Sequence, residues 1–324
     1  MASATGGSQS ERCRQKRKIG TVMEHPTYPK AQLDLLLKSG ADANAADEKL
    51  RLPFHYAARF AASQDVVRIL LAKTVDADSV DRDGTSALTL ALVYGDCLPS
   101  LELLLNASPN LDLGGGIYGS PFEAASRYCS SEIVSMLLNE AADPNLREGP
   151  YGSCIAALLQ RPFYKSVFED DLLCLELLLS NGAKANLRMN YGKQALHAAA
   201  EYFCHTEVFE MLIRYGADIN ATFQSHQLGF EVTTTPLGIL GDFFSKKEAA
   251  MVLLRAGASP NCYTPTGKTV LESACGNLGS TKIAQELIRR GADINAKSLR
   301  EGATALHSAA TAARSGVIKL LIEK

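Results

Sequence analysis

A unit of 30 residues that returns along the chain constrains the fold more than any other feature. Its clearest copy runs from Tyr191 to Asn220 and contains two apolar stripes at helical spacing, one around Leu196 and one around Leu212. Gly216 follows the second stripe and suits the left-handed conformation that often ends a helix. Two helices this short cannot bury their apolar faces alone, so neighbouring copies must stack on one another.

The ending of the unit, Gly-Ala-Asp-x-Asn, recurs intact or altered at intervals of 33 to 41 residues. The last residues of these endings are Asn44, Ser79, Asp112, Asn145, Asn186, Asn220, Asn261 and Asn295. An apolar pair, such as Leu212 and Ile213, precedes the glycine position of every copy, and a ninth pair follows at Leu321 and Ile322. This regularity predicts an array of short helix pairs.

The openings of the units also match one another. The clearest openings are Leu52–His55, Ser120–Phe122, Ala195–His197, Thr235–Leu237 and Thr304–His307. A period near 33 residues with a T-P-L-H-x-A opening resembles the ankyrin repeat, over roughly residues 31–324. The resemblance implies an all-α ankyrin-repeat solenoid of stacked helix–turn–helix units, with β-turn or hairpin fingers projecting between them.

The pattern divides the chain into a tail and an array. We expect a basic, disordered tail at residues 1–27 and an ankyrin-repeat array at 28–324. The array is predicted as a capping helix at 28–46, repeats at 47–80, 81–113, 114–146, 147–187, 188–221, 222–262 and 263–296, and an incomplete last repeat at 297–324.

Small residues at the helix starts fit this interpretation. Ser86, Ser120 and Ser153 occupy the position that caps a first helix, and Pro121 and Pro236 the first helical position, where no N–H donor is lost. The opening histidine is replaced in five repeats, by Thr89, Glu123, Ala156, Gly238 and Glu272. In the ankyrin family this histidine bonds to backbone near the turn, so each replacement is expected to reduce stability slightly.

Charge and hydrophobicity exclude several partners. The net charge is −2 and the isoelectric point about 6.3, which does not favour nucleic acid or membrane as a partner. No apolar run approaches the roughly 20 residues of a membrane span, and the first 25 residues contain no apolar signal core. We therefore expect a cytoplasmic protein. The basic residues between Arg12 and Lys18 leave open either a nuclear import signal or a solubilising tail.

The sequence gives little support for catalysis. Phosphate-loop, dinucleotide, zinc-protease and nucleophile-elbow motifs are missing, and three of the six histidines fall at the structural opening position. Eight cysteines are spread through the chain without any C-x-x-C pair, which favours buried free thiols over a metal or disulfide. Acidic residues are read as solvent-facing, with Glu169–Asp171 as a charge cluster at a helix N-terminus. We predict a protein that is not an enzyme, with no cofactor and no metal.

Two repeats are seven residues longer than their neighbours, and both insertions contain exposed-anchor candidates. One lies between two helices within Gln160–Asp171 and brings Phe163, Tyr164 and Phe168. The other enlarges a finger at Gln224–Val232 and brings Leu228 and Phe230. Insertions in repeat proteins map to loops and often to the binding face, and aromatic residues dominate binding hot spots. Folding of these side chains back onto their own repeat is an equally open alternative.

The fingers supply the remaining candidate contacts. The predicted partner-binding residues are Arg82, Asp83, Tyr118, Tyr151, Arg188, Tyr191, Leu228, Phe230 and Tyr263. The resemblance implies binding of another protein on the concave surface of fingers and first helices. The alternative is a substrate-recognition or regulatory arm of a larger protein or complex, such as a ligase adaptor or a multidomain receptor. A monomer is expected unless the C-terminal end, which shows no capping pattern, docks onto another surface.

The repeat pattern makes a direct prediction about stability. Leu212 is expected to be buried between neighbouring units, so Leu212→Ala should lower the free energy of unfolding by a few kcal/mol, about 2–5 for such a truncation. Thermal or urea unfolding of the purified variant measures this. An unchanged midpoint would contradict the proposed register.

Overall fold

The computed structural model describes residues 30–60, 63–94, 98–107, 109–113, 116–147, 149–161, 168–189, 192–202, 205–226, 231–242, 246–276 and 281–323. They belong to two compact units, residues 1–157 and 158–324, which are described separately. Several predicted features lie outside the described residues: the tail 1–27, Cys13, Cys97, Phe163, Tyr164, Tyr191, Cys204, Leu228 and Phe230. The side chain of Phe168 is likewise outside the description.

The first unit consists of helix pairs. Its helices are α1 Lys30–Lys38, α2 Pro53–Arg59, α3 Gln64–Leu71, α4 Ala87–Tyr94, α5 Leu98–Leu105, α6 Pro121–Tyr128 and α7 Ser131–Asn139. The helix α8, Cys154–Leu159, runs across the division between the units in sequence. In each pair the even-numbered member is here called the first helix and the odd-numbered member that follows it the second helix.

The second unit repeats the arrangement and adds one hairpin. It contains α9 Phe168–Ser180, α10 Ala195–Tyr202, α11 Thr206–Arg214, β1 Phe223–Ser225, β2 Val232–Thr234, α12 Pro236–Asp242, α13 Lys247–Arg255, α14 Val270–Gly276, α15 Thr281–Arg289, α16 Ala305–Thr311 and α17 Ser315–Ile322. Strands β1 and β2 pair antiparallel with Gln224 opposite Thr233. The enlarged finger predicted from the sequence is therefore a β-hairpin at its base.

First helices pack against first helices, and second helices pack against second helices. In the first unit α2 packs on α4 and α4 on α6, while the second helices α1, α3 and α5 pack in series. In the second unit the same holds for α10, α12, α14 and α16, and for α9, α11, α13, α15 and α17. The first leucine of the apolar pair is buried in the repeats from Leu70 onward, Leu212 completely. Stacking thus buries the stripes that one pair alone would leave exposed.

The helix starts follow the predicted chemistry. The Ser86, Ser120 and Ser153 hydroxyl oxygens accept hydrogen bonds from backbone N–H groups three residues later, at 3.1–3.2 Å. Thr235 and Thr269 do the same for α12 and α14. Each hydroxyl satisfies one of the N–H groups that a helix start leaves without an intrahelical partner.

Asparagine side chains tie several repeat endings to the next one. In the second unit the Asn186 amide Nδ2 donates to the Gly216 carbonyl at 2.8 Å, and its Oδ1 accepts from the Asp218 N–H at 2.7 Å. Asn261 makes the equivalent pair of bonds with Gly291 and Asp293. In the first unit Asp112 only accepts, from the Asp143 N–H at 3.2 Å, because a carboxylate cannot donate. The last residue of the repeat ending is therefore a connection between neighbouring repeats.

One expectation about charge is wrong. Asp171 was predicted at a solvent-facing helix start, but its side chain is buried and forms a salt bridge with the buried guanidinium of Arg161. Arg161 also lies 3.8 Å from the Asp170 carboxylate and 3.4 Å from the Cys174 sulfur. A buried ion pair therefore joins the two ends of the insertion between α8 and α9. Burial of these charges is possible because each charge has a close partner.

The cysteines that the structure describes are free and buried: Cys129, Cys154, Cys174, Cys262 and Cys275. Burial raises the pKa of Cys174 and of Cys262 to about 11, and that of Cys275 to about 12. They therefore stay protonated at neutral pH and pack as small apolar side chains. Across the described ranges, none of the helices is long and apolar enough to cross a bilayer.

The asparagine bridge gives a prediction with a matched control. Asn186→Ala removes two hydrogen bonds between neighbouring repeats, so we expect a loss of about 1–3 kcal/mol in unfolding free energy. Asn181→Ala removes one bond, from the Asn181 amide to the Leu177 carbonyl at the end of α9, and should cost less. Urea unfolding followed by circular dichroism compares them. Equal effects would show that the bridge adds nothing specific.

Candidate functional site

Aromatic residues end three successive first helices of the first unit at the same repeat position. Counted from the first helical residue, Phe60, Tyr94 and Tyr128 are each the eighth residue. Because first helices stack directly on one another, equal positions lie side by side along one face. Tyr94 is 44% exposed and Tyr128 half-buried, so this face remains accessible.

The finger residue Tyr118 joins this row. Its ring meets those of Tyr94 and Tyr128 edge-on, with centroids 6.0 and 6.1 Å apart, and its hydroxyl is hydrogen-bonded to that of Tyr94. Edge-to-face contacts at this separation are the favourable arrangement of aromatic rings. Tyr118, predicted from the sequence as a finger contact residue, thus packs against the ends of two first helices.

Two arginines stack on tyrosine rings, one on Tyr94 and one on the finger residue Tyr151. The Arg59 guanidinium lies 4.6 Å from the centroid of the Tyr94 ring, and that of Arg127 lies 4.4 Å from the centroid of the Tyr151 ring. Arg127 Nε also donates to the Tyr128 hydroxyl at 3.2 Å. We call Arg59, Tyr94, Tyr118, Tyr128, Arg127 and Tyr151 the tyrosine–arginine ladder. Cation–π and hydrogen-bond contacts link its members and hold them in one geometry.

Two phenols of the ladder, those of Tyr118 and Tyr151, have raised pKa values. Burial, with the Tyr128 hydroxyl as a hydrogen-bond partner, raises the pKa of Tyr151 to about 12. Burial and the Tyr94 hydroxyl likewise raise the pKa of Tyr118. These two phenols therefore stay protonated at neutral pH and, beside the Arg59 and Arg127 guanidinium groups, form a surface suited to amphipathic contacts.

The other predicted contact residues do not join the ladder. Arg82 and Asp83 are exposed on the preceding finger, where the Asp83 carboxylate lies 3.7 Å from Arg51. In the second unit Arg188 is exposed on a finger, and Tyr263 is half-buried with its backbone bridged to Thr234 and Thr269. Their part in binding stays a prediction, as does that of Tyr191, Leu228 and Phe230.

Sequence reasoning missed four ladder members: Arg59, Tyr94, Arg127 and Tyr128. These four residues lie at the ends of helices, whereas the sequence-based prediction placed the contacts on the fingers. Alignment of the first helices by their starting residue would have placed Phe60, Tyr94, Tyr128 and Tyr202 in one column. That column is the signal that could have found them.

Glu123 positions the finger that carries Tyr151. It occupies the third position of α6. At the same position of α2 and α10, His55 and His197 each form a hydrogen bond of 3.0 Å through Nε2, His55 with the Ser79 carbonyl and His197 with the Ala221 carbonyl. Glu123 is buried and accepts instead from backbone N–H groups, that of Tyr151 at 3.0 Å and that of Gly152 beside it. A Cβ at Gly119 or Gly149 would overlap its carboxylate, so glycine at these positions leaves room for the carboxylate in this place.

Glu123 thus replaces the histidine bond with a bond of opposite polarity. The stability cost expected from losing the histidine stays a prediction, but here the lost contact is substituted. Within the described residues, no group of three or more His, Cys, Asp or Glu side chains is arranged to hold a metal ion.

Comparison with known proteins agrees with the architecture of stacked helix pairs. The chain matches the family model described as Ankyrin repeats (3 copies) over residues 28–114, 54–148, 122–223 and 243–324. The ankyrin repeat protein YahD of Escherichia coli (strain K12) is 28% identical over 229 residues, which cover 70% of this chain and 90% of YahD. An ankyrin repeat protein of Rickettsia felis is 32% identical over 120 residues, 35% of this chain and 50% of the relative.

A solved structure shares the architecture. The crystal structure of the ankyrin repeat domain of Bcl-3, described as a unique member of the IkappaB protein family, is 25% identical with a TM-score of 0.54. The match covers 75% of this chain and 100% of that chain. Since this chain spans half the length of the Rickettsia relative, that relative's further properties are not carried over.

The pKa of Glu123 gives a testable pH dependence. Burial raises this pKa from 4.5 to about 7, against the opposing hydrogen bonds from backbone N–H groups. Between these two values the folded chain holds a proton that the unfolded chain has released, so stability falls as pH rises from about 4.5 to 7. The fall is on the order of 3 kcal/mol.

Glu123→Gln should remove this fall, because the amide does not titrate. Unfolding free energies of the native and variant chains, measured at intervals from pH 4.5 to 7.5, give the comparison. Parallel curves for the two proteins would rule out Glu123 as the titrating group.

Proposed function

The chain belongs to the ankyrin-repeat family, and from this membership we propose that it is a non-enzymatic module that binds another protein through its fingers and first helices. The family consists of protein-interaction domains, and the tyrosine–arginine ladder supports this role for this chain. Tyrosine and arginine are the residue types enriched at binding hot spots. We propose the ladder as the principal contact surface of the first unit.

The ladder favours binding because its side chains are already ordered. Association normally costs free energy for each long side chain that becomes immobilised, about 0.5–1.5 kcal/mol. Arg59 rests on the Tyr94 ring, and Tyr118 is fixed by two ring contacts and one hydrogen bond. The exposed Ile117, beside Tyr118 on the same finger, adds apolar area for a partner.

The alternative function, a recognition or regulatory arm of a larger assembly, would use the same surface. A monomeric state and a cytoplasmic or nuclear location likewise stay predictions.

Site-specific photo-cross-linking tests the proposed surface. A benzoylphenylalanine replaces Ile117, which is 60% exposed beside the ladder, or Leu173, which is 47% exposed on the second helix α9. We expect one recurrent protein adduct at position 117 and none at position 173 after irradiation in cells. Tyr94→Ala in the Ile117-substituted chain should reduce that adduct at least tenfold, because Tyr94 contacts both Tyr118 and Arg59.

Folding is checked by thermal unfolding of the same variants, since the partly exposed Tyr94 side chain contributes little to the core. An adduct of equal yield at both positions would contradict the proposal. So would an adduct at position 117 that Tyr94→Ala leaves unchanged.

A further inference from the structure

The third position of the first helices shows how each repeat satisfies one polar side chain. At this position His197 makes two hydrogen bonds: Nδ1 accepts from the Gln194 N–H at 3.1 Å, and Nε2 pairs with the Ala221 carbonyl at 3.0 Å. Glu123 accepts from the next finger, as described above. Both residues are buried, and both use a partner outside their own helix.

Glu272, at the same position of α14, is the exception. Its side chain is only 1% exposed. Oε1 accepts a hydrogen bond from the Ser308 hydroxyl at 3.2 Å, but Oε2 is buried with no hydrogen-bond partner. Leaving a buried acceptor unsatisfied costs about 1–3 kcal/mol, and more for a charged group.

The reason lies in the finger before α16. The backbone N–H groups that correspond in position to those used by Glu123 belong to Gly302 and Ala303. Here the Gly302 N–H donates to the Ser298 carbonyl at 3.2 Å, and the Ala303 N–H donates to the Ser298 hydroxyl oxygen at 3.0 Å. Both N–H groups are thus bonded to Ser298, and Glu272 Oε2 is left without a hydrogen-bond donor.

Glu272 also lines an open cleft of about 550 Å³ in the second unit. The finger residues Lys268, Glu301 and Gly302 and the α16 residues His307 and Ser308 form its walls. Two carboxylates against one lysine give the cleft an acidic balance. Lys268 lines the same space, and its positive charge partly opposes the rise that burial causes in the pKa of Glu272.

We propose that this cleft receives a lysine or arginine side chain of the partner protein, which donates a hydrogen bond to Glu272 Oε2. This inference rests on the proposed function, the binding of another protein. It specifies one contact of that binding, a basic residue on the partner. A cation fits best because a charge-assisted hydrogen bond to a carboxylate is about twice as strong as a neutral one. Burial raises the pKa of Glu272, and the Ser308 hydrogen bond offsets this rise only in part. The donor would therefore also compensate for the burial of the carboxylate.

Short peptides test the cleft directly. The probes are acetyl-Gly-Gly-X-Gly-Gly-amide with arginine, lysine, citrulline or norleucine at X, titrated into the full 15N-labelled chain. Citrulline keeps the shape of arginine without its charge. We expect the arginine and lysine peptides to shift the backbone resonances of Gly302, Ala303 and Ser308, with binding at least tenfold tighter than that of the citrulline peptide.

Two variants locate the effect. Glu272→Gln should weaken the arginine peptide at least tenfold and still fold, because glutamine at the third helical position also serves a capping box with Thr269. Glu248→Gln removes the same charge from an exposed residue of the second helix α13 and should leave peptide binding unchanged. Equal binding of arginine and citrulline peptides, or unchanged binding by Glu272→Gln, would overturn the proposal.

The peptide result and the cross-linking result fail independently. The cross-linking test reports on the ladder of the first unit, and the peptides report on the cleft of the second. A ladder-dependent adduct without charge-selective peptide binding would remove the cleft proposal alone. Charge-selective peptide binding lost in Glu272→Gln, without a ladder-dependent adduct, would remove the proposed binding surface and keep the basic-residue site.

Discussion

The structure depends above all on the hydrogen bonds that pass from one repeat ending to the next. A helix pair of this size has too little apolar area to fold alone, so its stability comes from the neighbour on which it stacks. The asparagine amide fixes that neighbour, because Asn186 both donates to Gly216 and accepts from Asp218. Since the bond joins equivalent points of adjacent repeats, it also sets where the next finger and first helix begin. Side chains at equal positions are therefore aligned within each unit.

The same alignment explains why the third position of the first helix matters. His55, Glu123 and His197 at this position each bond to the next finger, and the chemistry of the side chain decides which backbone group it holds. Histidine reaches a carbonyl, as His55 does at Ser79, whereas Glu123 can only accept and so holds the N–H groups of Tyr151 and Gly152. In this way one substitution reverses the polarity of the contact without breaking the stack. It also ties the Tyr151 ring of the ladder to a buried carboxylate.

Much of the fold could be predicted because its signals are local and repeated. Ser120 caps α6, Gly216 takes a positive φ of 80° after α11, and Leu212 is buried, all as the repeat pattern indicated. The ladder and the Arg161–Asp171 pair could not be predicted from local signals. Each joins residues that are apart in sequence and come into contact only in the packed structure. A run of acidic residues looks solvated in sequence, and only the packing of Arg161 against α9 shows that Asp171 is not.

Ser298 shows how small a change separates a structural residue from an open site in a stacked array. The finger before α16 satisfies its own N–H groups through this one residue, so the finger stays ordered without help from α14. The carboxylate of Glu272 then lacks these donors, and its Oε2 has no hydrogen-bond partner. A buried acceptor in this condition destabilises the free chain, and any partner that supplies a donor recovers that free energy on binding. Under the proposal made for this cleft, two hydrogen bonds diverted within a finger turn a stabilising position into a recognition position, while the helices stay stacked.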